Sequence, residues 1–328
     1  MYFDKSAKIY VAGHRGLVGS AICRELTLQG YENIITKTHQ ELDLENQRKT
    51  EEFICDIKPD VVFLAAAKVG GILANHTYPV DFLMSNLAIQ SNLIKASYKA
   101  NVERLIFLGS SCIYPKNCPQ PIKEEYLLTS ELELTNRPYA LAKIAGIEMC
   151  WSYNRQFNAQ YLAVMPTNLY GPGDNYDLQN SHVLPALIRK IHEAKVVNAQ
   201  TVMIWGTGTP QREFLYSDDL ANALLHLMNL DNDTYRWIVD PSNCPIINIG
   251  FGIDVTIIDL ANTIKEVIGF DGNFAFDNTK SDGTPKKLLE SKVINDLGWA
   301  PKINLIDGIK LTYDDFLSKN FSKTINAL

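Results

Sequence analysis

The segment that most restricts the fold of this chain lies near its start, where an apolar run leads directly into a glycine-rich turn. Residues 8–12 form the apolar run, glycines follow at positions 13, 16 and 19, and apolar residues then recur at helical spacing until Gly30. This order of strand, turn and helix brings unobstructed backbone N–H groups to a helix N-terminus, which suits a pyrophosphate. The sequence therefore predicts a dinucleotide site at Gly13, His14, Arg15, Gly16, Leu17, Val18 and Gly19.

The same alternation of strand and helix continues through the first half of the chain. Further apolar runs occupy residues 60–64, 104–108 and 161–164, and helical patterns separate them. Such alternation predicts an α/β fold with a Rossmann-type, doubly wound parallel sheet. Beyond residue 168 the alternation weakens, and we expect a smaller, interleaved C-terminal α/β substrate lobe. We assign residues 1–168 and about 209–235 to the dinucleotide-binding domain, and residues 169–208 and 236–328 to the substrate lobe.

Composition and charge exclude several kinds of partner. The formal net charge of the 328 residues is −6 and no run of Lys and Arg opposes it, so a nucleic-acid surface is not expected. The six cysteines form no C-x-x-C pair and do not cluster with histidine, so we predict neither a metal site nor a disulfide framework. A short polar N-terminus and the lack of an apolar run of ~20 residues predict a cytoplasmic protein without a membrane span.

The end of the second predicted strand indicates which dinucleotide is bound. An NAD site places an acidic residue there for the ribose hydroxyl, whereas a basic residue accommodates the phosphate of NADP. Here the strand at 33–36 is followed by Lys37 and His39, the first acid is Glu41, and Arg15 stands inside the glycine turn. The sequence therefore favours NADP, with Arg15 as the basic residue for its phosphate, whereas Lys37 is interpreted as an ordinary solvated surface charge.

Tyr139 and Lys143 are four residues apart in a predicted helix and project from the same helix face. A neighbouring cation lowers the pKa of a phenol, so this pair is suited to proton transfer near neutral pH. Ser110 and Cys112 follow the fourth predicted strand, and ligands bind at the carboxyl ends of such strands, so all four side chains can line one cleft. Taken singly, these residues are equally typical of an amphipathic helix, a turn serine and a buried thiol.

Seven segments in this order resemble the extended short-chain dehydrogenase/reductase superfamily, and in particular its members that epimerise and reduce GDP-4-keto-6-deoxy sugars. The resemblance covers nearly the whole chain. The matching segments are residues 13–20, 65–71, 109–116, 138–143, 166–172, 180–182 and 205–210. The resemblance implies conversion of GDP-4-keto-6-deoxy-D-mannose to GDP-L-fucose, by epimerisation of the two carbons that flank the ketone and reduction of the ketone with NADPH.

The resemblance also implies roles for individual residues. The serine, tyrosine and lysine that reduce the ketone correspond to Ser110, Tyr139 and Lys143, and the epimerisation pair corresponds to Cys112 and His182. A thiolate and an imidazole can both exchange protons near neutral pH, which suits removal of a proton beside a ketone. Without the resemblance, His182 at a helix start would be interpreted as a cap or surface residue.

Binding residues follow from the same resemblance. For the cofactor, it implies contacts beyond the glycine turn at His39, Asp43, Leu108, Gly109, Lys143, Pro166, Thr167, Asn168, Leu169 and His182. For the GDP-sugar, it implies contacts at Lys190, Trp205, Arg212 and Asp282, with Arg189 able to share the work of Lys190. One departure concerns His39, because some members have an arginine there, and this weakens the expected preference for NADP over NAD.

Two other functions are compatible with the same motifs. One is a relative that only reduces, or that acts on another GDP-4-keto sugar such as a deoxyheptose, and the presence of both Cys112 and His182 argues against pure reduction. The other is an NADP-binding sensor without catalysis, against which Ser110, Tyr139 and Lys143 argue.

The helices predicted at 79–100 and from Pro138 to about Phe157 carry apolar residues on more than one face. One face of each helix is expected to pack on the sheet, and the other against a symmetry mate in a four-helix contact. The sequence therefore predicts a homodimer.

Overall fold

The computed structural model describes residues 2–178, 180–280 and 282–325. Its strands alternate with helices through the first half of the chain, as the apolar runs predict. The strands are β1 (Ile9–Ala12), β2 (Ile34–Ile35), β3 (Val61–Leu64), β4 (Arg104–Leu108), β5 (Tyr161–Pro166), β6 (Asn168–Tyr170), β7 (Thr201–Trp205), β8 (Gln211–Tyr216), β9 (Ile246–Ile249), β10 (Asp254–Thr256), β11 (Asn273–Asp277) and β12 (Lys286–Lys287).

The helices cover both faces of the main sheet and one side of the smaller lobe. They are α1 (Leu17–Leu28), α2 (Gln47–Ile57), α3 (Ile72–Thr77), α4 (Pro79–Lys99), α5 (Arg137–Phe157), α6 (Val183–Val196), α7 (Ser217–Met228), α8 (Asn232–Ile238), α9 (Ile257–Ile268), α10 (Lys292–Asp296) and α11 (Leu305–Ile325). Among the described residues, none of these helices combines the length and apolarity needed to cross a bilayer.

The main sheet has six parallel strands in the order β2-β1-β3-β4-β5-β9. Every residue of β1, β3, β4 and β5 is buried, which is the expected consequence of helices on both faces. The predicted doubly wound α/β fold is confirmed. The carboxyl ends of β1, β3, β4 and β5 meet at one edge, so the segments that follow these strands lie side by side.

The smaller lobe has its own apolar core. Strands β10, β8 and β12 are neighbours in one sheet, β6 pairs with β8, and β7 pairs with β11 in a separate two-stranded sheet. Helices α6, α9 and α11 contribute Leu187, Ile264 and Ile309 to a core in which each of these side chains is buried. The division of the chain into two lobes remains a prediction, but the main sheet includes β9, which the prediction assigned to the substrate lobe.

Helices α4 and α5 position the residues of greatest interest. The amide of Gln90 on α4 donates a hydrogen bond to the carbonyl of Ala142 on α5, and both residues are buried. Gly146 permits close packing of α5 on β4, because a Cβ there would lie 2.4 Å from the ring of Phe107. Helix α5 ends at Asn158, whose φ of 54° is left-handed.

Candidate active site

Lys143 is held in a fixed position within the site. It lies on α5, only 3% of its surface is exposed, and its Nζ donates a hydrogen bond of 2.7 Å to the carbonyl oxygen of Leu108 at the end of β4. Nζ also lies 4.7 Å from the ring centroid of Phe107 and 5.8 Å from that of Tyr139. The structure therefore brings Tyr139 and Lys143 together at the carboxyl edge of the sheet.

Burial shifts the pKa values of both Tyr139 and Lys143, and in each case it disfavours the charged form. It lowers the pKa of Lys143 to about 8 and raises the pKa of Tyr139, with the Cys112 thiol as a smaller cause of the rise. The expectation that the pKa of Tyr139 is lowered is therefore wrong, because burial of the phenol raises it. A phenol that stays protonated at neutral pH is suited to donate a proton.

Ser110 and Cys112 lie directly after β4, where the chain makes a single helical turn at Ser111–Ile113. The hydroxyl of Ser110 accepts a hydrogen bond of 3.3 Å from the backbone N–H of Cys112, which orients the Ser110 side chain toward this turn. Cys112 is 9% exposed, and burial raises its pKa, while Lys287 is the largest opposing cause. This thiol can act only if a nearby positive charge favours its thiolate.

His182 lies one residue before α6. Its side chain makes no capping hydrogen bond, so the helix does not account for its position. His182 is exposed, yet the protein packed around it still lowers the pKa of its imidazole, with Lys287 as the second cause. A lowered pKa keeps the imidazole neutral and able to accept a proton.

The glycine turn fits a dinucleotide pyrophosphate. A Cβ on Gly13 would lie 2.7 Å from the backbone nitrogen of Ala66, and one on Gly19 would lie 2.2 Å from the carbonyl oxygen of Gly13. Gly16 precedes α1 without a side-chain cap, so the N–H groups of the first helical turn face the turn directly. The buried Nδ1 of His14 has no hydrogen-bond partner among the described residues, which leaves a polar atom for a ligand.

A cavity of about 400 Å³ extends from the glycine turn to the end of β2. Its lining contains the basic residues Arg15, Lys37 and His39 and no carboxylate. The carboxylate of Glu41 accepts hydrogen bonds from the backbone N–H and the hydroxyl of Thr38, and it lies 3.8 Å from the Nζ of Lys37. This charge distribution suits the extra phosphate of NADP, and Lys37 belongs to the cavity rather than to a remote surface.

The other predicted cofactor residues lie along the carboxyl edge of the sheet. A Cβ on Gly109 would lie 2.2 Å from the terminal methyl group of Met165, so a side chain there would require Met165 to move. The side chains of Thr167 and Asn168 both donate to the carbonyl of Glu213, which joins the end of β5 to β8. The predicted cofactor residues at this edge of the sheet are Leu108, Gly109, Pro166, Thr167, Asn168 and Leu169. Asp43 lies apart from this edge, beside the His39 ring at 3.8 Å.

Lys190 and Trp205 meet in the smaller lobe. The Nζ of Lys190 lies 4.7 Å from the ring centroid of Trp205, and Lys280 approaches the same ring at 5.5 Å. Trp205 is 47% exposed, so an aromatic face remains open to a planar ligand. Arg189 points away from this pair, since it donates to Glu193 and to the carbonyl of Tyr176.

Arg212 and Asp282 adjoin each other through the backbone. A guanidinium nitrogen of Arg212 lies 3.4 Å from the carbonyl oxygen of Asp282, and burial lowers the pKa of Arg212. The carboxylate of Asp282 accepts from the backbone N–H and hydroxyl of Thr207, at 2.8 Å and 2.9 Å. Asp282 therefore holds the turn that follows Trp205, whereas Arg212 supplies positive charge to the cleft.

Sequence reasoning missed one residue of the cleft. Lys287 lines the same small cavity as Cys112, and it influences the pKa of both Cys112 and His182. The only signal in the sequence is a charged segment at 282–287, which does not distinguish this lysine from its neighbour Lys286.

Known proteins match the chain along nearly its whole length. The family model described as the NAD dependent epimerase/dehydratase family matches residues 9–250. The GDP-L-fucose synthase 1 of Arabidopsis thaliana is 56% identical over 96% of this chain and 94% of its own. The GDP-L-fucose synthase of Escherichia coli is 50% identical over 94% of this chain and 96% of its own.

Among solved structures, the GDP-mannoheptose C4 reductase of Campylobacter jejuni with NADP bound has a TM-score of 0.87 and 39% identity, over 96% of this chain and 99% of its own. The residues matched by the family model include the glycine turn and all six strands of the main sheet. The chain therefore belongs to the NAD dependent epimerase/dehydratase family and, within it, to the GDP-L-fucose synthase family.

Proposed function

We propose that this chain converts GDP-4-keto-6-deoxy-D-mannose to GDP-L-fucose with NADPH, and that separate residues of one cleft carry the two parts of the reaction. Ser110, Tyr139 and Lys143 form the reduction group, and Cys112 and His182 form the epimerisation group. The observation that carries the proposal is that Lys143, with Tyr139 beside it, is bound to the end of β4, which Ser110 and Cys112 directly follow, on the sheet edge where the glycine turn is shaped for a dinucleotide.

Reduction depends on how the chain holds the ketone. NADPH supplies the hydride when it is bound. The hydroxyls of Ser110 and Tyr139 donate hydrogen bonds to the ketone oxygen, where negative charge develops, and Tyr139 then gives up its proton to that oxygen. Lys143, anchored on the Leu108 carbonyl at 2.7 Å, holds the cofactor ribose and places a positive charge near the phenol.

Epimerisation needs a base on one face of the sugar ring and an acid on the other. The base removes a proton from a carbon beside the ketone, the C–H electron pair moves toward the ketone oxygen, and the acid returns a proton to the opposite face. His182 and Cys112 come from different elements, the segment before α6 and the segment after β4, and Lys287 influences the pKa of both. Their unlike chemistry suits this pairing.

The substrate is proposed to bind across the smaller lobe. Trp205 offers an exposed ring to the guanine base, and Lys190 and Arg212 offer positive charge to the diphosphate. The carboxylate of Asp282 accepts a hydrogen bond from the hydroxyl of Thr207, and this contact stabilises the turn that follows Trp205.

The decisive experiment supplies GDP-4-keto-6-deoxy-D-mannose, follows NADPH consumption, and determines the stereochemistry of the product. We expect GDP-L-fucose, inverted at both carbons beside the ketone. A reduced but unepimerised product would contradict the proposal. Because the similar Campylobacter jejuni structure is named a GDP-mannoheptose C4 reductase, the matched comparison is a GDP-4-keto-heptose, for which we expect slower turnover.

We further propose that the chain forms a homodimer through α4 and α5. These helices run side by side, with the rings of Tyr98 and Phe157 stacked at 4.5 Å, and their outer faces expose Met84 at 58%, Leu141 at 41% and Phe157 at 43%. A second copy would bury this apolar surface in a four-helix contact.

Sedimentation at micromolar concentration tests the dimer. Met84→Glu should dissociate it, whereas Val196→Glu, at an exposed apolar position on α6, should not. A wild-type chain that sediments only as a monomer would contradict this part of the proposal. We also propose a cytoplasmic location, which cell fractionation tests directly.

A further inference from the structure

Lys287 stands out as a charged residue that the proposed mechanism does not yet use. It lines the small cavity beside β4 together with Cys112, and the same cavity is also lined by Glu133 and Lys286. No described residue forms an ion pair with it, whereas Lys286, the preceding residue of β12, pairs with Asp254 at 3.1 Å. Burying an ammonium without a carboxylate partner is costly unless another negative charge lies nearby.

The fold fixes the position of Lys287 from two sides. Strand β12 pairs with β8, so that Lys287 lies opposite Arg212. The next residues are tied to the segment that follows Cys112, since the Ile122 N–H donates to the Leu288 carbonyl at 2.7 Å and the Glu290 N–H donates to the Ile122 carbonyl at 2.8 Å. The backbone therefore holds this ammonium against the segment that carries the thiol.

The charges around the cavity favour one partner for Lys287. Burial lowers the pKa of Lys287, and Cys112 is the largest cause that opposes this, ahead of Cys118 and Glu133, while Arg212 lowers the pKa further. Conversely, Lys287 is the largest cause that lowers the pKa of Cys112, ahead of the Ser110 hydroxyl and Lys143. Each of the two groups is thus the group that most favours the ionised form of the other.

We propose that Lys287 is a third residue of the epimerisation group, whose ammonium compensates the negative charge that Cys112 carries as a thiolate. The inference rests on the proposed function and deepens it. As base, Cys112 must be a thiolate before proton transfer, and as acid it becomes a thiolate afterwards, so the compensating charge is needed in either role. Because Lys287 acts through Cys112, it is a positioning residue.

Lys287 also affects the other member of the pair. It disfavours the imidazolium form of His182 and favours the thiolate form of Cys112. One ammonium therefore lowers the pKa of both residues and favours the deprotonated, proton-accepting form of each.

The test measures the thiol directly, without substrate. Full-length protein is alkylated with iodoacetamide across a pH series, and the peptide that contains Cys112 is quantified by mass spectrometry. For Lys287→Met we expect the rate at about pH 8 to fall about tenfold, corresponding to a pKa rise of about one unit. Lys287→Arg should restore most of the rate, and Lys292→Met, at an exposed lysine on α10, serves as the control and should change nothing.

Deuterium exchange from heavy water into GDP-4-keto-6-deoxy-D-mannose provides the second readout, and we expect it to fall in Lys287→Met by a similar factor. An unchanged alkylation profile in Lys287→Met would overturn the inference, even if exchange fell, because the lysine would then act on the substrate. Lys287→Gln repeats the test if the Met variant does not fold. If the wild type fails to exchange at all but its alkylation depends on Lys287, the proposed function fails and the charge pair stands.

Discussion

The reduction group and the epimerisation group are built in different ways. Tyr139 and Lys143 lie one turn apart on one helix, and Lys143 is locked to the carbonyl of Leu108 by a hydrogen bond. Cys112, His182 and Lys287 come instead from three segments far apart in sequence, which follow β4, precede α6 and form β12. The first group is a local feature of one domain, whereas the second exists only when the smaller lobe is folded against the sheet.

This difference suggests how the two chemistries can be separated. The reduction group needs only the main sheet and the cofactor that lies along its edge. The epimerisation group needs the register of β12 on β8, where Lys287 lies opposite Arg212. Substitutions in one group should therefore affect one reaction far more than the other.

The largest effect is expected for Tyr139→Phe. The change removes the proton donor and little packing, so NADPH oxidation should fall by a factor of about 10³ or more, while NADPH binding stays close to normal. Stopped-flow absorbance gives the rate and fluorescence titration gives the affinity. Turnover near the normal rate would remove Tyr139 from the mechanism.

Cys112→Ser should block deuterium exchange at one or both carbons beside the ketone, by a factor of about 10² or more. Slow NADPH oxidation should persist, because the reduction group is intact, and the product should be incompletely epimerised. Nuclear magnetic resonance of the product in heavy water measures both. Substitution of another buried cysteine, Cys150→Ser, is the control. Exchange at the normal rate in Cys112→Ser would show that Cys112 has only a packing role.

A pH profile, for which we expect an effect of intermediate size, distinguishes the reduction group from the epimerisation group. Burial lowers the pKa of Lys143 to about 8, so its positive charge is present below that pH and is lost above it. We expect kcat/KM for NADPH oxidation to fall up to about tenfold per pH unit above about pH 8. Lys143→Met should lack this decline, and Cys112→Ser should keep it, while the reverse pattern would assign the decline to the epimerisation group.

The smallest effect concerns the cavity beside the glycine turn. His39 lines it with Arg15 and Lys37, and an arginine at that position carries a permanent charge and a bidentate donor for phosphate. His39→Arg should tighten NADPH binding about threefold to tenfold and leave NADH binding unchanged. Titration calorimetry with both cofactors checks this, and equal tightening of NADH would show that the phosphate is not involved.

The sequence predicted the local features well and the long-range ones poorly. The strand at 104–108, the glycine turn and the Tyr139 helix follow from periodicity and turn chemistry, and NADP was favoured by the residues after β2. Lys287 was missed because its place depends on strand pairing between β12 and β8, which no short motif encodes. The pKa of Tyr139 was predicted in the wrong direction, because burial cannot be read from a four-residue spacing.

The measurement that tests the separation of the two groups most directly uses Tyr139→Phe with NADPH and GDP-4-keto-6-deoxy-D-mannose in heavy water. Reduction is then blocked, and exchange at the two carbons beside the ketone reports the epimerisation group alone. We predict that deuterium enters both positions within about tenfold of the wild-type rate, although little NADPH is consumed. Loss of exchange together with loss of reduction would show that one set of residues performs both reactions and would contradict the account.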